Sequence, residues 1–251
     1  DNVVKWARRL GIQSTLIADK ALSLGASCVL MGELSTAFGT FANNGRAYEP
    51  RTLARIGDQE GRTLYDARPV DTPGLDVEGR LRAIVSAVTL GQRQVIDPKT
   101  AFLTTSLMRD VVRAGTGIRA TRLGEPAAGK SGTASKGRFT TDAWFVGFTS
   151  NLLTVAWVGD DTYARSLGDH EASYTTATPM WTRFMRAVSR RRPHDELPTT
   201  RPPGLEKRLT DATLGGPAIP GLPSAWVHYV PAWSARARRH ALHPPGPLGG
   251  R

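Results

Sequence analysis

A lysine and two hydroxyl side chains lie together in a glycine-rich stretch near the middle of the chain. Its sequence is Gly129-Lys130-Ser131-Gly132-Thr133. Two kinds of chemistry use such a segment. One is phosphate binding by a loop of the GxxxxGK[ST] type, and the other is acyl transfer beside a strand that carries a K-[ST]-G triad. The surrounding sequence decides between them.

The phosphate-binding pattern is matched at every specified position from Gly124 to Ser131. That pattern works only where a buried strand leads in and a helix leads out, because loop amides and the helix N-terminus cradle the phosphate. Residues 118–123 are too polar for a buried parallel strand. After Ser131 come two glycines and no apolar periodicity, which disfavours a helix. A P-loop nucleotide-binding protein is therefore a less favoured alternative.

The residues that follow the triad predict a β-sheet instead. Two apolar runs, 143–148 and 152–158, are rich in aromatic and β-branched residues, and the short polar segment 149–151 separates them. We predict three consecutive antiparallel strands across residues 124–159, with Lys130 and Ser131 on the first. Side chains alternate along a strand, and glycine keeps its edge open to a substrate backbone.

The rest of the chain predicts an α+β fold. Apolar residues at helical spacing predict helices within 1–10, 34–42, 81–88, 100–113 and 181–188, and a hairpin is predicted within 51–67. Eleven of the 17 prolines lie in residues 193–247. We therefore place a domain boundary near residue 190. Residues 191–251 form a Pro/Arg-rich extension of extended or irregular chain with a disordered end.

The composition limits the kinds of partner and cofactor that the chain is expected to bind. The net charge is +11, but no nucleic-acid motif accompanies it, so we interpret it as a solvated basic surface that suits an anionic envelope surface. The single Cys28 excludes an internal disulfide and is predicted to be a small buried hydrophobe. No histidines have metal-site spacing, and no apolar run of about 18 residues or signal peptide is visible.

Several segments together resemble the transpeptidase domain of class A (bifunctional) penicillin-binding proteins across nearly the whole chain. They are residues 24–45, Gly115-Thr116-Gly117, the lysine-serine-glycine stretch 129–133, residues 142–148, residues 157–161 and the helix 179–185. On this resemblance, residues 1–190 are the C-terminal part of such a domain. We interpret Gly115-Thr116-Gly117 as a structural turn below the sheet.

The resemblance implies serine acyl transfer that cross-links peptidoglycan stem peptides at D-Ala-D-Ala, with β-lactams as inhibitors and no cofactor or metal. It makes Lys130 and Ser131 catalytic, the lysine as positive charge for the substrate carboxylate and the serine as its hydrogen-bond donor. Gly132 leaves room for the substrate. Thr133 contributes a backbone N–H to the oxyanion hole and a hydroxyl near the carboxylate.

Two motifs of the family do not occur in the chain, namely S-x-x-K with the nucleophile and S-x-N. Both precede, in the family, the segment that resembles residues 1–12. The chain is therefore expected to be a fragment that penicillin does not acylate. Strand 152–158 is expected to expose an apolar edge where earlier strands would pair, which favours aggregation.

The expected location of the full-length protein is the cell envelope, on the extracytoplasmic side of the inner membrane. Two further alternatives stay open. A serine β-lactamase or β-lactam sensor shares the triad, and a catalytically silent scaffold domain would carry a replaced serine upstream.

Overall fold

The computed structural model describes residues 2–47, 50, 52–66, 74–89, 93–137, 139–189, 196–197, 201–211, 218, 220–221 and 225–231. The α-helices are α1 (Asn2–Arg9), α2 (Met31–Ala42), α3 (Val77–Thr89), α4 (Pro98–Ala114) and α5 (Ala177–Ser189), and short 3₁₀ helices span Lys20–Leu24 and Ile118–Leu123. The strands are β1 (Arg55–Gly57), β2 (Thr63–Asp66), β3 (Ala128–Lys136), β4 (Phe139–Phe148), β5 (Leu153–Gly159), β6 (Leu205–Asp211) and β7 (Ala225–Pro231). The predicted α+β class is confirmed.

A three-stranded antiparallel sheet, in the order β3-β4-β5, lies at the centre of the fold. Ser131 on β3 pairs with Phe145 on β4, which pairs with Ala156 on β5. The three consecutive strands predicted from the apolar runs are confirmed. β4 lies between the other two strands, and its second half, from Ala143 onward, is almost entirely buried. This burial explains why its apolar run is nearly continuous rather than alternating.

One face of the sheet packs against the end of α4, the second 3₁₀ helix and α5. Its core holds Val112, Ala120, Phe145, Trp181 and Met185. Trp181 is fully buried and donates its indole N–H to the backbone carbonyl of Thr154, 3.1 Å away. A buried indole needs such a partner, so this bond ties α5 to β5.

The opposite face is covered at one end by α2. Buried Ala128 and Phe148 meet Met108 of α4 there, and Phe38 and Phe41 of α2 pack against them. Towards the other end of the same face, the rings of Trp144 and Trp157 lie 6.0 Å apart. The sheet therefore has a helix-covered end and an indole-covered end on this face.

Helix α4 delivers the Gly115-Thr116-Gly117 turn to the sheet. Its first turn is capped by Asp97, whose carboxylate accepts from the backbone N–H of Lys99 at 2.9 Å. Pro98 at the first helical position suits the same start. At the other end, the N–H groups of Gly115 and Gly117 both donate to the carbonyl of Val111, at 3.1 and 3.0 Å. These bonds fix where the helix stops.

Strands β6 and β7 form an antiparallel hairpin that sequence reasoning missed. Residues 191–251 were expected to be extended or irregular, but β7 packs on α4, where the rings of Tyr229 and Phe102 lie 4.8 Å apart edge to face. The long connection between the two strands and the charged sequence of β6 hide the pairing, because the stabilising contacts come from a distant helix. The predicted disordered end lies outside the described residues, and the domain boundary stays a prediction.

Cys28 is exposed, so the prediction of a buried residue is wrong. Residues 26–30 run as irregular chain before α2 begins at Met31. Because these residues form no helix, Cys28 does not lie on a helix face that packs against the core. Its Sγ lies 3.3 Å from the hydroxyl of Tyr163.

Strand β5 lies at an edge of the sheet and, within the described residues, pairs only with β4. Its side chains are half-buried apart from buried Ala156, because α2 and α5 pack against it. The open edge of β5 therefore exposes mainly backbone groups and not apolar side chains. Aggregation through this edge stays a prediction. In the described part of the chain, the helices fall short of the length and apolar character needed to cross a bilayer.

Candidate functional site

The segment Lys130–Thr133, here called the KSGT segment, lies on β3 and presents its side chains to two faces. Ser131 and Thr133 share the face of Phe145, and Lys130 and Gly132 lie on the face of Trp144. Lys130 is exposed, and its Nζ donates to the backbone carbonyl of Ser131 at 2.5 Å. The ammonium thus lies against the strand while its solvent side stays open.

The local structure excludes a P-loop. A 3₁₀ helix, Ile118–Leu123, precedes Gly124 where a buried strand would be needed. After Ser131 the chain continues as strand β3 to Lys136, where a helix would be needed. Among the described residues, the motif therefore lacks the helix N-terminus that a P-loop needs after its serine, and the alternative of nucleotide binding through this motif is wrong.

Strand β3 is an edge strand of the three-stranded sheet. β3 pairs with β4 on one side, and no second strand of the described residues pairs with its other side. An extended peptide can bind to such an edge through main-chain hydrogen bonds. Gly132 keeps this strand close to its neighbour, since a Cβ there would lie 3.2 Å from the Cβ of Trp144.

Thr116 contacts the site, although its turn had been interpreted as only structural. Its hydroxyl oxygen lies 2.5 Å from the hydroxyl oxygen of Ser131, and either group can donate. Thr116 is exposed and Ser131 is half-buried, so the pair lies at the surface. The two residues are 15 positions apart, and no spacing pattern in the sequence links them.

Ser173 is the second residue that sequence reasoning missed. Its backbone N–H donates to the Thr133 hydroxyl at 3.2 Å. Its own side chain is 2% exposed, donates to the carbonyl of Trp144 at 2.6 Å and lies 3.1 Å from the hydroxyl of Thr178. This buried network fixes the segment before α5 against β3.

The KSGT segment carries one ammonium on one face of β3 and two hydroxyls on the other, and these groups meet only along the edge of the strand. A hydroxyl has one proton and two acceptor positions, and Thr133 already accepts a bond from Ser173, which leaves its proton free. The guanidinium of Arg119 lies 5.4 Å from the ring centre of Tyr174, the residue that follows Ser173. The described residues contain no group of three or more His, Cys, Asp or Glu side chains that could hold a metal ion.

Comparison with known proteins gives the family. The family described as penicillin binding protein transpeptidase domain matches residues 17–177, which is more than half of the chain. The chain belongs to this family. The match includes the KSGT segment, Thr116 and Ser173.

The curated relatives carry the name penicillin-binding protein 1A. Penicillin-binding protein 1A of Pseudomonas aeruginosa is 30% identical over 257 residues, which cover 90% of this chain and 30% of that protein. Penicillin-binding protein 1A of Neisseria lactamica is 33% identical, over 75% of this chain and 21% of that protein. The chain therefore spans less than a third of the length of these relatives.

Solved structures share the fold. The crystal structure of penicillin-binding protein 1A from Haemophilus influenzae superposes with a TM-score of 0.72 at 27% identity, covering 90% of this chain and 35% of that one. PonA1 of Mycobacterium tuberculosis, solved in complex with penicillin V, has a TM-score of 0.59 at 20% identity, covering 78% of this chain and 54% of that one. The second match concerns the fold alone. The roles assigned to Lys130, Ser131, Gly132 and Thr133 stay predictions.

Proposed function

We propose that this chain forms the carboxylate-binding side of the cleft in a penicillin-binding D,D-transpeptidase of peptidoglycan synthesis. In this reaction a serine attacks the D-Ala-D-Ala carbonyl and expels the terminal D-Ala, and an amine of a neighbouring stem peptide then resolves the acyl-enzyme. One observation carries the proposal. The KSGT segment lies on the open-edged strand β3 of a chain that belongs to the transpeptidase family.

Each residue of the segment has a role in this proposal. The ammonium of Lys130 attracts the terminal carboxylate, and the hydroxyls of Ser131 and Thr133 donate to it. The backbone N–H of Thr133 stabilises the oxyanion of the tetrahedral intermediate. Gly132 has no side chain, so the substrate backbone can lie against β3.

The nucleophile is the part of the mechanism that these residues do not supply. No S-x-x-K occurs in the 251 residues. We therefore propose that residues 1–251 alone form no acyl-enzyme, and that β-lactams acylate a serine outside them in the complete gene product. PonA1, which shares the fold, was solved with penicillin V, and this supports the proposed class of inhibitor.

The proposed location is the extracytoplasmic side of the cell membrane, where stem peptides are cross-linked. The supporting observations are the names of the class A relatives and the net charge of +11. A basic surface is attracted to an anionic envelope. The proposed partners are stem peptides as substrate and β-lactams as inhibitors.

The test is labelling with a fluorescent penicillin, applied to the complete gene product and to residues 1–251. We expect a covalent label on the first and none on the second. In the complete product, Lys130→Ala should lower the acylation rate constant about a hundredfold, because a charge-assisted hydrogen bond is lost. Ser131→Ala should lower it about tenfold. The matched controls are Lys136→Ala and Ser135→Ala, exposed residues of the same strand, which should stay within about twofold.

Three outcomes would contradict parts of this proposal. An unlabelled complete gene product would overturn the transpeptidase function, and equal losses for Lys130→Ala and Lys136→Ala would overturn the site. A label on residues 1–251 would overturn the absence of a nucleophile. Rapid turnover of a chromogenic cephalosporin would instead indicate the β-lactamase alternative.

A further inference from the structure

Thr116 and Ser131 form a hydroxyl pair at the surface of the site. Their oxygens are 2.5 Å apart, which is at the short end for bonds between hydroxyls. Thr116 is exposed and Ser131 half-buried. A ligand that reaches the KSGT segment along the open edge of β3 therefore meets this pair and not an isolated serine.

The turn around Thr116 does not need the threonine side chain. Backbone bonds hold it, from Gly115 and Gly117 to Val111 and from Ala120 to Gly117 at 2.8 Å. Both glycines are closely packed, since a Cβ on Gly115 would lie 2.9 Å from the Cα of Val111, and one on Gly117 would lie 3.1 Å from the ring of Phe145. The Thr116 hydroxyl makes its contact with Ser131 in addition to these.

The number of hydroxyl protons in the pair indicates what Thr116 can do for Ser131. Two hydroxyls that share one hydrogen bond keep one free proton between them. If Thr116 donates to Ser131, the free proton belongs to Ser131 and can be donated to a carboxylate in front of β3. Hydrogen bonds in such a chain polarise one another, so the terminal donor becomes stronger.

Thr133 shows the same arrangement on the same face of the strand. The backbone N–H of Ser173 donates to its hydroxyl oxygen at 3.2 Å, which leaves the threonine proton free. Ser173 has no choice of direction, because a backbone N–H can only donate. Each hydroxyl of the KSGT segment therefore has a hydrogen-bond partner from a segment outside β3, Thr116 for Ser131 and Ser173 for Thr133.

We propose that Thr116 is a positioning residue that donates its hydroxyl proton to Ser131 and thereby directs the Ser131 proton to the substrate carboxylate. This inference rests on the proposed transpeptidase function and adds to it a residue that the KSGT segment does not contain. If the proposal is right, Thr116 affects only the reaction of ligands that carry a carboxylate, and it does so only when Ser131 is present.

The experiment measures the second-order acylation rate constant of the complete gene product with two thioester substrates, one ending in a carboxylate and the other in its methyl ester. Thr116→Val keeps the shape and removes the hydroxyl. We expect it to lower the rate constant for the carboxylate substrate about tenfold, as for one hydrogen bond, and to leave the ester unchanged. Thr116→Ser should restore the rate to within about twofold of the wild type.

A double-mutant cycle separates this role from a structural one. In a Ser131→Ala background, Thr116→Val should cause no further loss, because the residue through which it acts is absent. An equal loss for the ester and the carboxylate substrate would overturn the proposal, as would independent, additive losses in the cycle. An unchanged rate in Thr116→Val while the wild type reacts would overturn it and leave the proposed function intact. A wild type that reacts with neither substrate overturns the proposed function first, and this inference with it.

Discussion

The indole N–H of Trp157 on β5 donates a 2.7 Å hydrogen bond to the carboxylate Oδ1 of Asp142 on the neighbouring strand β4. Asp142 is 2% exposed, and its other oxygen has no hydrogen-bond partner among the described residues. Gly159 lies close against this carboxylate, because a Cβ there would lie 2.8 Å from Oδ1 of Asp142. A buried carboxylate with one donor depends strongly on that donor.

Trp157→Phe should lower the free energy of unfolding by about 3 kcal/mol, because it removes a hydrogen bond to a buried charge. Trp144→Phe is the matched control, since Trp144 packs against Trp157 on the same face. It should cost about half as much, because only packing is lost. Chemical denaturation of both variants checks this, and equal losses would contradict it.

Gly129→Ala should destabilise the protein by about 2 kcal/mol through overpacking. A Cβ there would lie 2.8 Å from both the ring of Phe145 and the carbonyl oxygen of Val146. Gly32→Ala is the matched control on α2, where nothing lies within 4 Å of the added atom. The control should raise stability by about 0.5–1 kcal/mol, because alanine favours the helix. Thermal unfolding compares the two, and a stable Gly129→Ala variant would refute the close approach.

The hydroxyl of Tyr163 should ionise at unusually high pH. Its hydrogen bond with Cys28, together with burial, raises its pKa to about 12, against an ordinary value near 10. Because the folded state holds this proton more tightly than the unfolded state, stability is fully present below pH 10 and falls as the pH rises towards 12. Cys28→Ala should move the pKa down towards 10.

Ultraviolet titration of tyrosinate absorbance measures this ionisation. The chain has five tyrosines, so the Tyr163→Phe variant is subtracted to isolate one of them. Two results would show that the contact with Cys28 does not form in solution. One is a Tyr163 pKa near 10 in the wild type, and the other is a raised Tyr163 pKa that Cys28→Ala does not change.

The β6–β7 hairpin should depend on the ring of Tyr229 for its docking. That ring packs edge to face on Phe102 at 4.8 Å and lies 5.9 Å from the ammonium of Lys207. Tyr229→Ala should raise amide hydrogen exchange of Leu205–Asp211 at least about tenfold, because aromatic pairs contribute about 1 kcal/mol beyond their buried area. Tyr229→Phe keeps the ring and should leave the exchange rates near those of the wild type.

The sequence by itself determined the central sheet and the helices, because these depend on local periodicity. The apolar run 143–148 lies on β4, the run 152–158 lies on β5 except for its first residue, and the polar segment between them is in the turn. The rejection of a P-loop also needed only local residues. The family followed from motifs at fixed spacing within one domain, and the match over residues 17–177 confirms it.

Only the tertiary structure decided which side chains meet. Thr116 meets Ser131 across 15 residues and Ser173 meets Thr133 across 40, and no periodicity connects such distant positions. Cys28 is exposed and β7 packs on α4 for the same reason, since burial depends on which surfaces the assembled core still has to cover. A strand pattern therefore located the lysine-serine-glycine motif, while the donors behind its hydroxyls came from segments that only folding brings together.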